Sequence, residues 1–426
     1  MRRWIPVRGS VFSGLRGRNS SRNSRCFSIA VNDVERVSFR NGSSGIVTID
    51  LHNIAKVSSP DPLLIYLPPY STAFSDKPAE LPRFIQRRPT AVINYRWTGY
   101  PPLEDTTTHS SQSGTESAED EDEWSQNLAW PAPIHDTARA YDWIVENLGP
   151  SNYTRRDIYV YGSYLGASLA TSLTLTETHP HARMGIRGCV AYNGIYNWTT
   201  FLPDHRINQV PQHRPRNILE EILDPPVEDP KFQELKQHAQ ALFEKPDNYF
   251  DPFASPCLFF HTPGLFVPLD FNSTALAPPG LLPEDLSLLP EDAPELFMPT
   301  KPPRKSPLVY PPRSSTLKIP EALLLHSSPP PLPPSLLRRR QRRKKNAGRN
   351  NFQTQAEDLA GLMRRSIDKV ELKERFKWDD DFDSWDNEAA RRIQLDDVGL
   401  SRGDFELGSE GEELAAAWLE DHMRNS

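Results

Sequence analysis

The stretch Ile158-Tyr-Val-Tyr-Gly-Ser-Tyr-Leu-Gly-Ala-Ser-Leu-Ala170 decides the fold of this chain of 426 residues. Its apolar start predicts a buried strand, and the small residues and leucines that follow predict a helix. Gly162 and Gly166 flank the turn between them, where larger side chains would collide with neighbouring backbone. Strand, glycine-flanked turn and helix form a nucleophile elbow, in which G-x-S-x-G lifts a serine above a sheet. Here Tyr164 stands at the serine position.

Apolar runs on both sides of this turn predict alternating strands and helices. Before it, we predict a strand pair at 36–57, strands at 63–67 and 91–97, and a helix at 136–148 with Asp136 as its N-cap. After it, the sequence predicts strands at 186–195, 256–262 and 317–326, and helices at 353–367, 389–393 and 411–423. About seven strands in this order favour an α/β fold with a doubly wound, mostly parallel sheet and helices on both faces.

Segments without apolar periodicity interrupt the predicted domain, which spans residues 36–425. Proline, at 42 of 426 residues, is concentrated in some of them. We interpret residues 101–128 as an acidic insertion without regular structure, and residues 268–312 as a Pro/Leu-rich loop. Residues 200–250 are polar and helical, which is typical of a cap over a sheet edge. Residues 327–350 are Pro-rich and then basic.

Residues 1–27 have the composition of a mitochondrial presequence. The first thirty residues contain seven arginines and six serines, and no acidic residue precedes Asp33. Trp4 and Phe12 can share one face of a helix that carries arginines opposite, and Arg25-Cys-Phe-Ser28 resembles a processing site with cleavage after Phe27. We therefore expect the mitochondrial matrix. The alternative is a basic tail without fixed structure.

Several functional classes find no support in the sequence. A net charge of -7 on a chain of this length does not indicate a partner. No run of eighteen apolar residues is present, so we expect no membrane-spanning helix. No G-x-x-x-x-G-K loop occurs, and the cysteines at 26, 189 and 257 have neither zinc spacing nor a disulfide pattern. We therefore expect no metal and no cofactor.

Taken together, these features resemble the α/β-hydrolase superfamily over about residues 36–100, 130–265 and 315–425 and, within it, predicted fungal α/β-hydrolase-like proteins. The matching stretches are Ile65-Tyr-Leu-Pro-Pro69, Val92-Ile-Asn-Tyr-Arg96, Pro133-Ile-His-Asp136, Tyr141-Asp-Trp-Ile-Val-Glu-Asn-Leu148 and Gly166-Ala-Ser-Leu-Ala170. The resemblance implies a sheet of the α/β-hydrolase type. In active members it also implies a serine, an acid and a histidine in that chain order, and two backbone N–H donors for an oxyanion.

Each member of this triad departs from the pattern here. Tyr164 is a poor nucleophile because a phenol is protonated at neutral pH, and Ser163 lies one residue before the elbow position. The acid is expected after the strand that ends near residue 260, where Asp270 is the nearest carboxylate. The histidine is expected after the last strand, where His326 is the candidate.

The oxyanion donors are also incomplete. The N–H of Leu165 is available in principle, but the loop after residues 63–67 begins with two prolines, which have no N–H. Tyr70 or Ser71 would therefore supply the other donor. We therefore interpret the chain as a hydrolase scaffold that acts through binding, without standard serine-hydrolase activity. The alternative is a diverged ester or thioester hydrolase that uses Ser163 and His326.

A basic run provides a second candidate site. Its anion-binding residues are Arg338, Arg339, Arg340, Arg342, Arg343, Lys344 and Lys345. Such a run can neutralise the phosphates of RNA or of anionic lipid, although no aromatic residue is interleaved for base stacking. A solvated loop and a nuclear signal are the alternatives. Together with the presequence, the run raises a third hypothesis, an RNA- or ribosome-associated role in the mitochondrion.

Overall fold

The computed structural model describes residues 27–31, 34–41, 45–54, 61–71, 79–99, 130–150, 154–208, 229–267, 302–328, 350–373, 387–400 and 405–424. Several predicted features lie outside these residues. They are the presequence before Phe27, the acidic insertion at 101–128, residues 268–301 of the Pro/Leu-rich loop with Asp270, and the basic run at 338–345.

Nine strands of the described chain form one sheet in the order β1-β2-β3-β5-β4-β6-β7-β8-β9. They are β1 (Phe27–Val31), β2 (Val34–Arg40), β3 (Ile46–His52), β4 (Leu63–Leu67), β5 (Thr90–Asn94), β6 (Arg156–Ser163), β7 (Met184–Tyr192), β8 (Glu321–Ser328) and β9 (Ile393–Leu400). The β1–β2, β2–β3 and β3–β5 pairs are antiparallel, and the other five pairs are parallel. The predicted mostly parallel sheet is confirmed, while the predicted number of strands was too low.

Helices cover both faces of this sheet. They are α1 (Ala132–Asn147), α2 (Leu165–Glu177), α3 (Pro230–Phe243), α4 (Phe352–Ser366), α5 (Glu388–Arg392) and α6 (Ser409–Arg424). Consecutive residues of a strand point to opposite faces. In β7, a side chain on Gly188 would meet Trp418 of α6, whereas the neighbouring Cys189 lies beside Thr174 of α2. The α/β-hydrolase type of fold is therefore confirmed, and α3 lies in the predicted cap segment.

The central strands follow directly from their residues. All five residues of β4 and all eight residues of β6 are buried, because these strands have neighbours on both sides and helices on both faces. Strands in this position read as continuous apolar runs rather than alternating ones. The sequence therefore identified β4 with its observed bounds and the apolar part of β6, which begins two residues before the predicted run, at Arg156.

The predicted strand at 256–262 is wrong. Pro256–Phe259 form a 3-10 helix, in which Leu258 N–H donates to Ser255 O at 2.8 Å. Beyond it, His261 forms only an isolated bridge to Pro307. The segment is apolar because it is buried against the core, and burial alone does not distinguish a strand from a short helix.

The last strand, β9, was missed because it is an edge strand. Its sequence, Ile-Gln-Leu-Asp-Asp-Val-Gly-Leu, is fully buried only at Ile393 and Val398. The helix predicted at 389–393 is present as α5, but it ends at Arg392, and the chain then turns into β9. Consequently β8 is the penultimate strand and not the last one.

Asp136 is not the N-cap of α1, which begins four residues earlier at Ala132. Its carboxylate is buried and pairs with the buried guanidinium of Arg96. The Nε and Nη2 atoms of Arg96 each donate to a carboxylate oxygen at 2.8 Å, and the Arg96 backbone N–H adds a third bond at 3.2 Å. Removing one partner of such a pair leaves an uncompensated buried charge. The pair joins α1 to the chain that follows β5.

The glycines of the turn permit the close approach of two segments. A Cβ on Gly166 would overlap the carbonyl oxygens of Leu67 and Pro68, at the end of β4. A Cβ on Gly162 would overlap the carbonyl of Gly166 and lie 2.8 Å from the Cβ of Ala170. The predicted reason for both glycines, collision of larger side chains with neighbouring backbone, is confirmed.

Substitution of Gly166 therefore provides a test of this contact. Gly166→Ala should lower the free energy of unfolding by at least about 3 kcal/mol, because backbone atoms cannot move aside as a side chain can. The matched control is Gly361→Ala in α4, where a Cβ would meet nothing within 4 Å. That variant should gain about 0.5–1 kcal/mol from helix propensity. Urea unfolding measures both, and equal effects of the two substitutions would contradict the packing described here.

Candidate functional site

The elbow is formed by the turn between β6 and α2. Tyr164 has φ 53° and ψ -112°, a backbone conformation that non-glycine residues adopt at a cost of about 1–3 kcal/mol. Its N–H donates to the carbonyl of Tyr192 at the end of β7, at 2.7 Å. The strained backbone of a nucleophile elbow is therefore present, and it presents a phenol instead of a hydroxyl group.

The side chain of Tyr164 is part of the core. It is 0% exposed, and its ring makes edge contacts with Tyr192, Phe352 and Phe405 at centroid distances of 5.5, 5.6 and 4.9 Å. The phenol oxygen accepts a hydrogen bond from Nδ2 of Asn193 at 3.3 Å. The ring thus occupies the space in front of the elbow, where a substrate of an active hydrolase would lie.

A polar network next to Tyr164 fixes the cap helix α3 to the sheet edge. Asn193 exchanges hydrogen bonds with Ser327 at the end of β8, including a bond of 2.8 Å from the Ser327 N–H. The Ser327 hydroxyl donates to Asp229 at 3.2 Å, and the other oxygen of Asp229 caps α3 by accepting from the Lys231 N–H at 2.9 Å. All three network residues are buried, and no histidine is among them.

Helix α3 covers the aromatic residues at the elbow. The ammonium group of Lys231 lies 3.8 Å from the centroid of the Phe405 ring and 2.9 Å from Glu234. Tyr70 donates from its phenol to Glu234 at 3.4 Å, and Phe232 packs on the first residue of α4. These cation–π, ionic and aromatic contacts hold helix α3 over the elbow.

Ser163 and His326 cannot act together. Ser163 is in register with Tyr192, and Tyr192 with Leu325, so all three side chains point to one face of the sheet. His326 is the next residue and points to the opposite face. The Ser163 hydroxyl is 1% exposed and forms no regular hydrogen bond with a described residue; its polar neighbour is the Tyr66 phenol, whose pKa is raised by burial.

His326 was expected after the last strand, but it lies inside β8, in register with Asp397 of β9. It is 4% exposed, and its Nδ1 has no hydrogen-bond partner within the described part of the chain. The assignments of Asp270 and His326 both assumed that residues 256–262 form a strand. Because they form a 3-10 helix, the acid position moves to the segment after β8 and the histidine position to the segment after β9.

Neither of these corrected positions carries the required residue. The chain after β8 contains no Asp or Glu from 329 to 350, and the chain after β9 contains no His from 401 to 408. The first described residue after β9 is Phe405, whose ring contacts Tyr164. The sequence could have shown this absence only if β9 had been recognised.

The predicted oxyanion donors have different surroundings. Leu165 is the first residue of α2, where backbone N–H groups have no acceptor within the helix. Tyr70 follows the two prolines, and its ring contacts Phe405 and His238. The N–H of the next residue, Ser71, already donates to the carbonyl of Trp97 at 2.8 Å. The N–H of Ser71 is therefore already used in a contact with the chain that follows β5.

Other predicted sites add little within the described residues. None of the described helices combines the length and hydrophobicity that crossing a bilayer requires. No group of three or more His, Cys, Asp and Glu side chains in the described chain is arranged to hold a metal ion. Binding of RNA or anionic lipid by residues 338–345 stays a prediction, because these residues lie outside the described chain.

A cavity of about 190 Å³ lies between α1 and α2, away from the elbow. Its walls are mostly apolar, with Leu169, Leu173 and Phe253, and two carboxylates, Asp142 and Glu177, also line it. Burial, with a smaller effect of the neighbouring Asp142, raises the pKa of Glu177 to about 7. Burial likewise raises the pKa of Asp142. Glu177 therefore titrates near neutral pH.

Comparison with known proteins gives structural matches only. No family model and no curated protein sequence matches the chain. Carboxyl esterase 2 from the mycorrhizal fungus Tuber melanosporum is 12% identical and aligns over 97% of this chain and 90% of its own, with a TM-score of 0.41. An esterase from the archaeon Pyrobaculum calidifontis is 11% identical over 93% of this chain and 86% of its own, with a TM-score of 0.42.

A third match is brefeldin A esterase, a bacterial homologue of human hormone sensitive lipase. It is 13% identical, and the alignment covers 93% of this chain and 78% of the esterase, with a TM-score of 0.38. The assignment of the fold rests on the strand order and on the elbow described above, and these matches add nothing to it about substrate or activity.

The raised pKa of Glu177 predicts a pH-dependent stability. The folded-state pKa, about 7, lies above the unfolded value of 4.5, so the stabilisation is complete below pH 4.5 and is lost as the pH rises through 7. Glu177→Gln should therefore remove about 1–2 kcal/mol of the decrease in unfolding free energy between pH 5 and pH 8, allowing for solvent screening at this partly exposed group. Glu413→Gln, at an exposed position of α6, should leave the decrease unchanged. The same pH dependence in wild type and Glu177→Gln would contradict the assignment.

Proposed function

We propose that this protein is an α/β-hydrolase-fold protein without serine-hydrolase activity and that it acts through binding. One observation carries the proposal. The rings of Tyr164 and Phe405, 4.9 Å apart, occupy the positions where a nucleophile and a histidine would meet. Removing single members of a triad already lowers catalytic rates by several orders of magnitude, and here the nucleophile, the acid and the histidine are all replaced or absent.

The closed cap supports the same proposal. Catalysis on an ester needs an open path to the elbow and a base within hydrogen-bond reach of the nucleophile. Instead, α3 is fixed over the elbow by the bonds of Asp229 to Ser327 and by the contact of Lys231 with Phe405. The alternative of a diverged ester or thioester hydrolase requires Ser163 and His326, whose side chains point to opposite faces of the sheet.

Labelling with a fluorophosphonate serine-hydrolase probe tests the absence of a reactive serine. The full chain should not be labelled, because Tyr164 stands at the nucleophile position and residues 401–408, after the last strand, contain no histidine. Tyr164→Ser should also remain unlabelled, since Phe405 cannot accept a proton. An active serine hydrolase in the same tube provides the positive control, and circular dichroism checks that the variant is folded.

Two results of this experiment would contradict the proposal. The first is labelling of the wild type that disappears in Ser163→Ala, which would identify Ser163 as a nucleophile. The second is labelling of Tyr164→Ser, which would mean that the elbow lacks only its nucleophile. Either result would support the alternative hypothesis of a diverged ester or thioester hydrolase.

We also propose that the protein acts in the mitochondrial matrix. The support is the composition of residues 1–27, with seven arginines and no acidic residue. Import into isolated mitochondria should depend on the membrane potential, and the N-terminus of the imported chain should be Ser28. Replacing Arg2, Arg3 and Arg8 by glutamine should reduce import several-fold, because the potential acts on positive charge. A chain that stays protease-sensitive outside energised mitochondria would refute the location.

A further inference from the structure

A second cavity, of about 480 Å³, lies beside the C-terminal half of α4. Helix α4 continues there as the π-helix Ile367–Leu372, and the segment 302–312 forms the opposite wall. We call this cavity the α4 pocket. Its volume is within the range of small-molecule sites, about 300–1,000 Å³. Its apolar wall includes Phe260, Leu308 and Leu362.

Three cationic side chains line the α4 pocket, namely Lys305, Arg365 and Lys369. None of them forms an ion pair with a described residue. The only hydrogen bond of the Arg365 guanidinium to a described residue goes from Nε to the Gly361 carbonyl at 3.0 Å. Asp358 is close enough to act on Lys305 and Arg365, but it does not pair with either. The pocket therefore carries a net positive charge.

Helix polarity accounts for only part of this cluster. Cations are favourable near the C-terminus of a helix, and only within its last turn. Arg365 and Lys369 lie in the last turns of the α-helical and π-helical parts, whereas Lys305 comes from a different segment. All three cationic residues are exposed to solvent. Partial burial of the ammonium group lowers the pKa of Lys305, Cys257 and Asp358 act in the opposite direction, and Arg365 has a smaller lowering effect. Because the three cations line one cavity, a bound anion would reduce the repulsion between them.

The remaining polar groups of the pocket add no further charge. Burial, with a smaller effect of Lys305, lowers the pKa of His261 to about 4, so this histidine is neutral at pH 7. Its Nδ1 donates to the carbonyl of Thr262 at 2.9 Å. The Ser306 hydroxyl, also in the lining, lies 3.2 Å from the Thr262 hydroxyl. π-helical turns such as the one beside the pocket occur frequently at functional sites.

We propose that the α4 pocket binds a phosphate group that carries an apolar substituent. The three cations match the charge of a phosphate dianion. Arg365 and Lys369 can approach it from the helix, and Lys305 from the opposite wall. The apolar wall of Phe260, Leu308 and Leu362 would contact the substituent. Two sources share this chemistry, a soluble phosphate ester and the headgroup of an anionic phospholipid.

The site is independent of the elbow. Phe352 at the start of α4 contacts Tyr164, and Arg365 follows thirteen residues later, about 20 Å further along the helix axis. Phosphate binding at the α4 pocket therefore does not depend on whether the elbow has catalytic activity. Experiments can contradict either proposal without contradicting the other.

Calorimetric titration of the full chain with phenyl phosphate, at constant ionic strength, tests the site. We expect saturable binding at one site, with benzoate and benzyl alcohol at least about tenfold weaker, because hydrogen bonds to a doubly charged acceptor are stronger. Arg365→Gln and Lys369→Gln should each weaken binding about tenfold. The matched control, Lys373→Gln, removes the same charge from the end of the same helix outside the pocket lining and should change affinity less than about twofold.

A parallel arm uses vesicles of phosphatidylglycerol, with phosphatidylcholine vesicles as the reference. Binding of phenyl phosphate that is lost in Lys369→Gln supports a soluble phosphate ester. Binding of phosphatidylglycerol vesicles alone, also lost in Lys369→Gln and retained in Lys373→Gln, supports a lipid headgroup. Three results would overturn the proposal. They are the absence of saturable binding in both arms, equal affinity for benzoate and phenyl phosphate, and an equal loss of affinity in Lys373→Gln and Lys369→Gln.

Discussion

The close approach of Gly166 to the carbonyls of Leu67 and Pro68 sets the arrangement of the centre of this protein. It brings the first turn of α2 against the end of β4, and the chain between β6 and α2 can then connect only through a strained residue. That residue is Tyr164, with a positive φ. Its side chain must point away from the sheet, so whatever surrounds this edge determines what residue 164 can do.

A phenol at this position requires surroundings that a serine does not. Burying a ring of this size is favourable only when apolar neighbours fill the space around it and the hydroxyl has a partner. Phe352, Phe405 and Tyr192 provide the apolar contacts, and Asn193 bonds to the hydroxyl. These neighbours come from three different parts of the chain. The elbow has thus become a packing centre that joins the cap, the sheet and α4.

The sequence predicted those parts of the fold whose local pattern matches their burial. β4 is apolar throughout, β6 contains the apolar run 158–161, and Gly162 and Gly166 are required by backbone contacts that a G-x-x-x-G turn already implies. The edge strand β9 could not be recognised in the same way, because only Ile393 and Val398 of its eight residues are buried. The Arg96–Asp136 pair could not be predicted either, because local sequence patterns do not indicate a contact between residues 40 positions apart.

The candidate site shows how one wrong element affects chemical assignments. Residues 256–262 are as apolar as a strand, and interpreting them as one moved the expected acid to Asp270 and the expected histidine to His326. Tyr164, by contrast, was placed correctly because its position depends on its distance from two glycines and not on a count of strands. Residues identified by local geometry were thus more secure than residues identified by topological order.

The edge strand β9 has a further consequence, for contacts between molecules. It is the last strand in the sheet order, and strands at an edge offer unpaired backbone groups to other chains. Asp396 and Asp397 stand in the middle of this strand, and Gly399 has a φ of 78°, which breaks the extended conformation. A second copy aligned along β9 would bring its own acidic pair within one strand spacing, about 4.8 Å. Electrostatic repulsion and the irregular backbone therefore disfavour edge-to-edge pairing of β9 between copies of this chain.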